Sequence, residues 1–116
     1  MRDFKELKVW QKAHRFVLDV YQQSRSFPPD ERFGLAVHLR KSATSVPSNI
    51  AEGCGREGER ELARFLSIAA GSASEAEYQL LLARDLGYLP HEAHRQLDDQ
   101  VNEIKRMLNS FLHKLS

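Results

Sequence analysis

The sequence has one cysteine, no long apolar run and no excess of charge of either sign. The lone Cys54 cannot form a disulfide within the chain, which is typical of proteins from reducing compartments, so we expect a cytoplasmic location. No apolar stretch reaches membrane-spanning length, and the start of the chain, MRDFKELKVW, lacks the apolar segment of a signal peptide. The balance of 17 basic and 16 acidic residues argues against a protein that coats nucleic acid.

The chain is 116 residues long and has room for one domain, which we place at 1–116. Its apolar residues recur at intervals of three and four, which predicts α-helices and no strands. We expect helices at about 7–25, 31–53, 59–86 and 90–115, with Asp30 capping the second. Because the connections are short, consecutive helices should run antiparallel. The prediction is an all-α, up-down-up-down four-helix bundle with left-handed packing.

The second predicted helix contains a stretch rich in small polar residues, SATSVPSNIAEGCGR, from 42 to 56. Four polar residues in it are spaced by three, four and three and therefore share one helix face. They are Ser42, Ser45, Asn49 and Glu52. Two interpretations stay open for this face. It is either a solvated surface, or a polar contact between bundles or within a small buried network.

Two residues of this stretch are unusual for a helix. Pro47 removes one backbone hydrogen bond. The carboxylate of Glu52 lies close to the helix C-terminus, where the helix dipole disfavours negative charge. A basic neighbour is therefore expected beside Glu52, and the candidates are Arg56, Arg40 and the lysines of the first helix.

The third predicted helix contains a run of six small residues, AAGSAS, from Ala69 to Ser74. Small side chains let two helices approach closely, so we expect the second helix, or a helix of a neighbouring subunit, to cross here. An ordinary layer of small core residues explains the run equally well.

Several segments together resemble a known family. SVPSNIAEGCGR, preceded by ERFGLAVHLRKSA and followed by FLSIAAGSASEAEYQL and LGYL, resembles the four-helix-bundle proteins encoded in intervening sequences of bacterial 23S ribosomal RNA genes. The opening FKELKVWQKA is similar as well, so the resemblance covers essentially the whole chain. The residues that match the family motif are Ser45, Pro47, Asn49, Ile50, Glu52, Gly53 and Arg56.

The resemblance implies more than a fold. It implies a ring-shaped homopentamer of four-helix bundles. Similar proteins include the accessory variability proteins of diversity-generating retroelements, which bind a reverse transcriptase and nucleic acid. Most members of the family have no assigned activity, so the resemblance does not point to any residue of this chain as catalytic.

Basic residues on the first helix and its approach form a stripe, which we call the basic stripe. Its members are spaced by three, four and three, and they are Lys5, Lys8, Lys12 and Arg15. A ring of subunits would repeat the stripe, so that multivalent contact with the phosphates of RNA or DNA becomes appreciable. A solvated helix face is one alternative, and a contact with the more acidic third helix of another subunit is the other.

The histidines raise the possibility of catalysis or metal binding. Arg106 and His113 on the last helix fit the Arg–His spacing of small helical ribonucleases, but pairs at this spacing are expected by chance in this composition. His91 and His94 lack a third ligand, so we predict no metal site and no cofactor.

The sequence therefore favours a non-catalytic, homo-oligomeric binding or scaffolding module outside the membrane. Its predicted partner is nucleic acid or a nucleic-acid-handling protein, with the pentamer as the implied assembly. The alternatives are a helical-bundle ribonuclease that uses Arg106 and His113, and a purely structural oligomer with a protein partner.

Overall fold

The computed structural model describes residues 2–116 and contains four α-helices. They are α1 (Lys8–Ser24), α2 (Leu35–Cys54), α3 (Glu59–Asp85) and α4 (His91–Leu115). Short 3₁₀ turns at Phe4–Glu6 and Pro29–Glu31 precede α1 and α2. No strand occurs between residues 2 and 116, so the all-α prediction is confirmed.

The helices form a four-helix bundle in which each packs against its neighbours along the chain and α1 closes against α4. Across residues 2–116, the backbones of the diagonal pairs, α1 with α3 and α2 with α4, do not approach each other. The molecule is 43 Å long, close to the length of about 40 Å that a helix as long as α3 spans. The helices therefore lie along the long axis, and the short connections make consecutive helices antiparallel, as predicted.

The core follows the apolar periodicity of the sequence. Every residue of the three-four pattern on α3 is buried, from Leu62 to Ala83. The large side chains that are almost fully buried come from all four helices. They are Phe16, Val20, Leu39, Val46, Ile50, Leu66, Leu80, Leu97, Val101, Ile104 and Leu108. Burying such side chains is worth about 1.5–3 kcal/mol each, so these stripes hold the bundle together.

Helix α2 begins at Leu35, four residues later than predicted, and Asp30 does not cap it. The carboxylate of Glu31 does so instead, because its Oε1 accepts the backbone N–H of Leu35 at 2.9 Å. The other oxygen accepts the Tyr88 hydroxyl at 3.0 Å, which ties the α1–α2 connection to the α3–α4 connection. A Cβ at Gly34 would lie 2.5 Å from Oε1 of Glu31, so glycine leaves room for this cap.

The end of α3 has the hydrogen bonds of a Schellman motif. The backbone N–H of Tyr88 donates to the carbonyl of Ala83 at 2.9 Å, and the backbone N–H of Gly87 donates to the carbonyl of Arg84 at 2.9 Å. Gly87 has a φ of 82°, a conformation that costs glycine little. This turn lets α4 begin at His91 and pack back against α3.

An aromatic stack fixes the start of α1. The ring of Trp10 meets Phe4 edge-on at a centroid distance of 4.9 Å and lies parallel to His14 at 5.1 Å. Trp10 is half-buried against the core. Tyr21, three turns farther along α1, is 42% exposed.

Candidate functional site

The basic stripe is interrupted at its first member. Lys5 belongs to the 3₁₀ turn Phe4–Glu6, and Leu7 after it has an extended backbone, so the helical spacing does not reach Lys5. Lys8 is the first residue of α1, and Lys12 and Arg15 follow one and two turns later. The helical part of the stripe therefore consists of three cations.

Two of these three cations have acidic neighbours. Nζ of Lys12 lies 3.3 Å from Oε1 of Glu103 on α4, and Nε of Arg15 lies 3.4 Å from Oδ1 of Asp19. Both pairs are partly exposed, so they are weak, but they reduce the local positive charge. Lys8 has no carboxylate within ion-pair distance in residues 2–116.

Lys8 borders a groove between the start of α1 and the end of α4, which we call the α1/α4 groove. Its volume is about 410 Å³. It is lined by Arg2, Leu7, Lys8, Val9, Met107, Ser110, Phe111 and Lys114. The sequence pattern did not indicate this groove, because Arg2 and Lys114 come from opposite ends of the chain.

The small polar stretch of α2 contacts α3 within the same chain. The hydroxyls of Ser45 and Ser72 lie 2.8 Å apart, and the amide of Asn49 donates to the carbonyl of Ser45 at 2.8 Å. Ser42 is buried and its hydroxyl bonds the side-chain amide of Gln79. Ser42, Ser45 and Asn49 therefore form small, partly buried contacts within the subunit, as one part of the second interpretation expects, whereas Glu52, the fourth member of the polar face, is exposed.

Gln79 was missed by the sequence analysis, although a signal was present. It is the one strongly polar residue that is buried on α3, next to Leu80 on the apolar face. The hydroxyl of Ser42 also lies 3.1 Å from the carbonyl of Leu39, and one proton cannot serve both acceptors. If the nitrogen and oxygen of the Gln79 amide exchange places, its N–H donates to the hydroxyl oxygen of Ser42, and that hydroxyl donates to the carbonyl of Leu39.

The remaining motif residues shape the end of α2. The helix runs through Pro47 without a break, and Pro47 and Ile50 are buried. Arg56 donates to the carboxylate of Glu52 at 2.8 Å, so the expected basic neighbour is Arg56. A Cβ at Gly53 would lie 2.9 Å from Cβ of Phe65 on α3, so glycine permits the close approach of the two helices.

Cys54 is buried at the end of α2, and burial raises the pKa of its thiol. Its carbonyl accepts the backbone N–H of Arg2 at 3.1 Å. The structure shows no cluster of three or more potential metal ligands within residues 2–116. In the same range, no helix is long and apolar enough to cross a membrane.

A family model described as the 23S rRNA-intervening sequence protein matches residues 5–110. The chain belongs to this family. The match includes α1, α2 and α3 and most of α4, so the family assignment rests on the whole bundle rather than on the motif alone.

One solved structure similar to this family member is a protein of unknown function from the S23 ribosomal protein family of Bacteroides thetaiotaomicron VPI-5482. The two chains are 24% identical and superpose with a TM-score of 0.84 over 90% of this chain and 97% of the other. This likeness supports the fold. No functionally curated protein matches the sequence.

This member of the 23S rRNA-intervening sequence family exposes a second groove, between α1 and α2, which we call the α1/α2 groove. Its volume is about 570 Å³. It is lined by Tyr21, Arg32, Phe33, Val37, Arg40, Lys41, Thr44, Ser45 and Ser48. Phe33 is 83% exposed, and the guanidinium of Arg40 lies 4.7 Å from the centroid of the Tyr21 ring. The groove is thus apolar with a cationic border.

Helix α3 presents an exposed apolar surface on another side of the bundle, which we call the α3 face. It consists of Ile68, Glu75, Tyr78, Leu81 and Asp85. Tyr78 is 60% exposed and Ile68 is 41% exposed. The two charged members are carboxylates, one of which, Asp85, pairs with Arg84 at 2.9 Å. Glu75 is therefore the one member of the α3 face whose charge is not offset by an ion pair within residues 2–116, and its sign is opposite to that of the cations of the α1/α2 groove.

Arg106 and His113, the ribonuclease candidates, are both exposed on α4. Neither of them lines the α1/α4 groove or the α1/α2 groove. Their placement adds no geometric support to a catalytic role.

Proposed function

We propose that the protein is a non-catalytic, homo-oligomeric scaffolding module whose copies join through two unlike surfaces. The α1/α2 groove of one copy receives the α3 face of the next. The assembly presents its first helices to a nucleic acid or a nucleic-acid-handling protein. The observation that carries this proposal is the pair of exposed apolar surfaces of opposite charge.

The apolar area of both surfaces supports a contact. Phe33 and Tyr78 are large side chains that leave most of their surface in water, and such residues mark interaction sites when they are grouped and bordered by polar residues. Tyrosine and arginine are also enriched in interfaces. The contact would remove both aromatic side chains from water.

The charges of the two surfaces support the pairing of one with the other. Arg32, Arg40 and Lys41 border the α1/α2 groove, whereas the α3 face carries Glu75. Asp85 adds little to this contrast because Arg84 pairs with it. Opposite potentials favour this arrangement and disfavour contact between two copies of the same surface. A contact between unlike surfaces is heterologous, and it generates a ring when the rotation between copies closes. The family resemblance implies that the ring has five members.

The test is the mass of the purified protein by light scattering. We expect a multiple of the 13.3 kDa chain for the wild type. Phe33→Asp and Tyr78→Asp each place a charge in one half of the contact, so each variant should have the mass of a monomer. Asn109→Asp, on the exposed side of α4, is the control and should keep the wild-type mass.

Mixing the two variants makes the test sharper. A Phe33→Asp copy keeps its α3 face, and a Tyr78→Asp copy keeps its α1/α2 groove, so the mixture should contain one-to-one dimers and nothing larger. A monomeric wild type, or variants that keep the full mass, would contradict the proposal. Monomers alone in the mixture would contradict the pairing of unlike surfaces.

A further inference from the structure

We propose that the α1/α4 groove binds single-stranded nucleic acid, with phosphates on Arg2, Lys8 and Lys114 and a base on the ring of Phe111. This inference rests on the proposed function, of which it specifies the ligand class and the site. It places the contact at the start of α1 and the end of α4 instead of along the whole basic stripe.

The distribution of charge favours the groove over the rest of the stripe. Lys12 and Arg15 lie beside carboxylates, whereas Arg2, Lys8 and Lys114 have none within ion-pair distance in residues 2–116. The residues that line the groove include these three cations and no acidic side chain. An anion bound there gains the full attraction of three charges without displacing an existing ion pair.

The apolar part of the groove suits a flat ring. Phe111 is partly buried against the core, and the guanidinium of Arg2 lies 5.5 Å from the centroid of its ring. Leu7 and Met107 line the groove beside them. Aromatic rings and guanidinium planes are the surfaces on which unpaired bases stack. A duplex keeps its bases stacked inside, so it could use the cations but not the ring.

The groove has the size of a nucleotide site, and one of its cations is held in place. A volume of about 410 Å³ falls in the usual range for sites that bind small organic molecules. The backbone N–H of Arg2 donates to the carbonyl of Cys54 at 3.1 Å. This bond ties the first residues to the end of α2, so less ordering is needed when a ligand binds.

The experiment is fluorescence anisotropy of labelled oligouridylate, oligothymidylate, a duplex of equal length and oligoglutamate across a salt series, with the full-length protein. The Lys8→Glu/Lys114→Glu variant should lose most single-strand binding at low salt. The matched control, Lys12→Glu/Arg15→Glu, makes the same change in charge outside the groove and should bind at least tenfold more tightly than the groove variant. The logarithm of the single-strand binding constant falls linearly with the logarithm of the salt concentration. Single Lys8→Ala and Lys114→Ala variants should each make this slope shallower by about 0.7.

The stacking contact has its own test. Phe111→Leu keeps the apolar volume but removes the ring, and it should weaken single-strand binding about tenfold. The salt slope should stay the same, because no cation is lost. Lys8 and Lys114 are exposed, so the charge variants keep the fold, which circular dichroism checks.

Each other outcome overturns the inference in a distinct way. If the control variant loses binding and the groove variant keeps it, the site is wrong while the proposed nucleic-acid partner stands. Tighter binding of the duplex, or an unaltered affinity of Phe111→Leu, overturns the single-strand assignment. Binding of oligoglutamate but of no nucleic acid makes the ligand an acidic protein. An intact oligomer that binds none of these probes overturns both the site and the nucleic-acid partner.

Discussion

The interface between α2 and α3 and the two interfaces of α4 are built on different principles. At the α2–α3 interface, small residues allow close approach, as at Gly53, and polar side chains of the two helices bond each other, as Ser45 does with Ser72. Helix α4 packs with larger apolar side chains and carries ion pairs along both borders. Lys12 pairs with Glu103 toward α1, and Lys105 pairs with Glu77 toward α3 at 2.7 Å.

The difference predicts how each interface responds to substitution. A close-packed interface with buried polar groups tolerates neither an added methyl group nor the loss of one partner. An interface with partly exposed ion pairs loses little when one charge is removed. Of the family-motif residues, Ser45 and Gly53 lie at the first kind of interface, whereas Glu52 and Arg56 form a half-exposed pair beyond it.

The largest effect is expected from an added side chain at Gly53. In Gly53→Val the new Cβ would meet Cβ of Phe65 at 2.9 Å and Cδ1 of Leu62 at 3.2 Å. We expect a loss of about 3 kcal/mol in the free energy of unfolding, because the neighbouring helix must shift. Urea denaturation at one protein concentration measures this loss, since assembly contributes to apparent stability.

Gly71→Val is the matched control, because nothing in the subunit lies within 4 Å of a Cβ at this helical position. Gly71 is one turn from Ile68 of the α3 face, so both glycine variants are compared in the Tyr78→Asp background, in which that face should not assemble. There the free energy of unfolding of Gly71→Val should stay within about 0.5 kcal/mol of Tyr78→Asp alone. Equal stability of the two variants would contradict the close approach of α2 and α3.

A smaller effect is expected from the buried pair of Ser42 and Gln79. Ser42→Ala leaves the Gln79 amide buried without its partner, which should cost about 1–3 kcal/mol of stability. The double variant Ser42→Ala/Gln79→Leu should cost less than the sum of the single changes. The coupling energy from this double-mutant cycle measures the pair.

A double-mutant cycle on Lys12 and Glu103 gives the matching coupling energy for an ion pair at the border of α1 and α4. Both side chains are nearly half exposed, so their coupling should be below about 1 kcal/mol. A coupling at this pair as large as that of Ser42 and Gln79 would remove the distinction between the two kinds of interface.

The ion pair between α3 and α4 should appear in the acid denaturation of the protein. The hydrogen bond from Lys105 lowers the pKa of Glu77 below its ordinary value of 4.5. The unfolded state therefore binds the proton more tightly, and the pair stabilises the fold fully above pH 4.5. This stabilisation is lost as the pH falls through the lowered pKa.

Glu77→Gln removes the titrating group, so its stability should fall less steeply below about pH 5 than that of the wild type. Lys105→Met removes the hydrogen-bond donor, so its stability should also depend less on pH in this range. Thermal melts in a pH series measure both variants. If the wild type, Glu77→Gln and Lys105→Met lose thermal stability equally steeply as the pH falls, the pair contributes nothing to acid sensitivity.

The smallest effect is expected from Glu52→Ala. The pair of Glu52 and Arg56 is about half exposed and spans one helical turn, so its loss should lower the free energy of unfolding by less than about 0.5 kcal/mol. A clearly larger loss, or a change in oligomer mass by light scattering, would show that Glu52 contacts another copy of the chain.

The bundle could be predicted from the sequence because its apolar periodicity is uninterrupted, most clearly from Leu62 to Ala83. The start of α2 could not, because its cap depends on the reach of the Glu31 side chain past Gly34. Propensity rules place Asp30 at that position, but the 3₁₀ turn at Pro29–Glu31 changes which carboxylate faces the helix.

The candidate site was less predictable than the fold. Spacing alone grouped Lys5 with the helical cations, but the extended backbone of Leu7 separates it from α1. The neutralising carboxylate of Glu103 belongs to α4, and the groove joins Arg2 to Lys114. Such contacts depend on the path of the whole chain, so the pattern of one helix does not contain them.

The aromatic stack at the start of α1 provides an optical probe within the natural chain. Trp10 is the only tryptophan in the sequence, and its ring lies between Phe4 and His14. Its emission spectrum therefore reports on a single environment, which joins the first residues to α1. Detachment of this segment would change the emission while the helical circular dichroism stays constant, so the unlabelled protein can distinguish local opening from global unfolding.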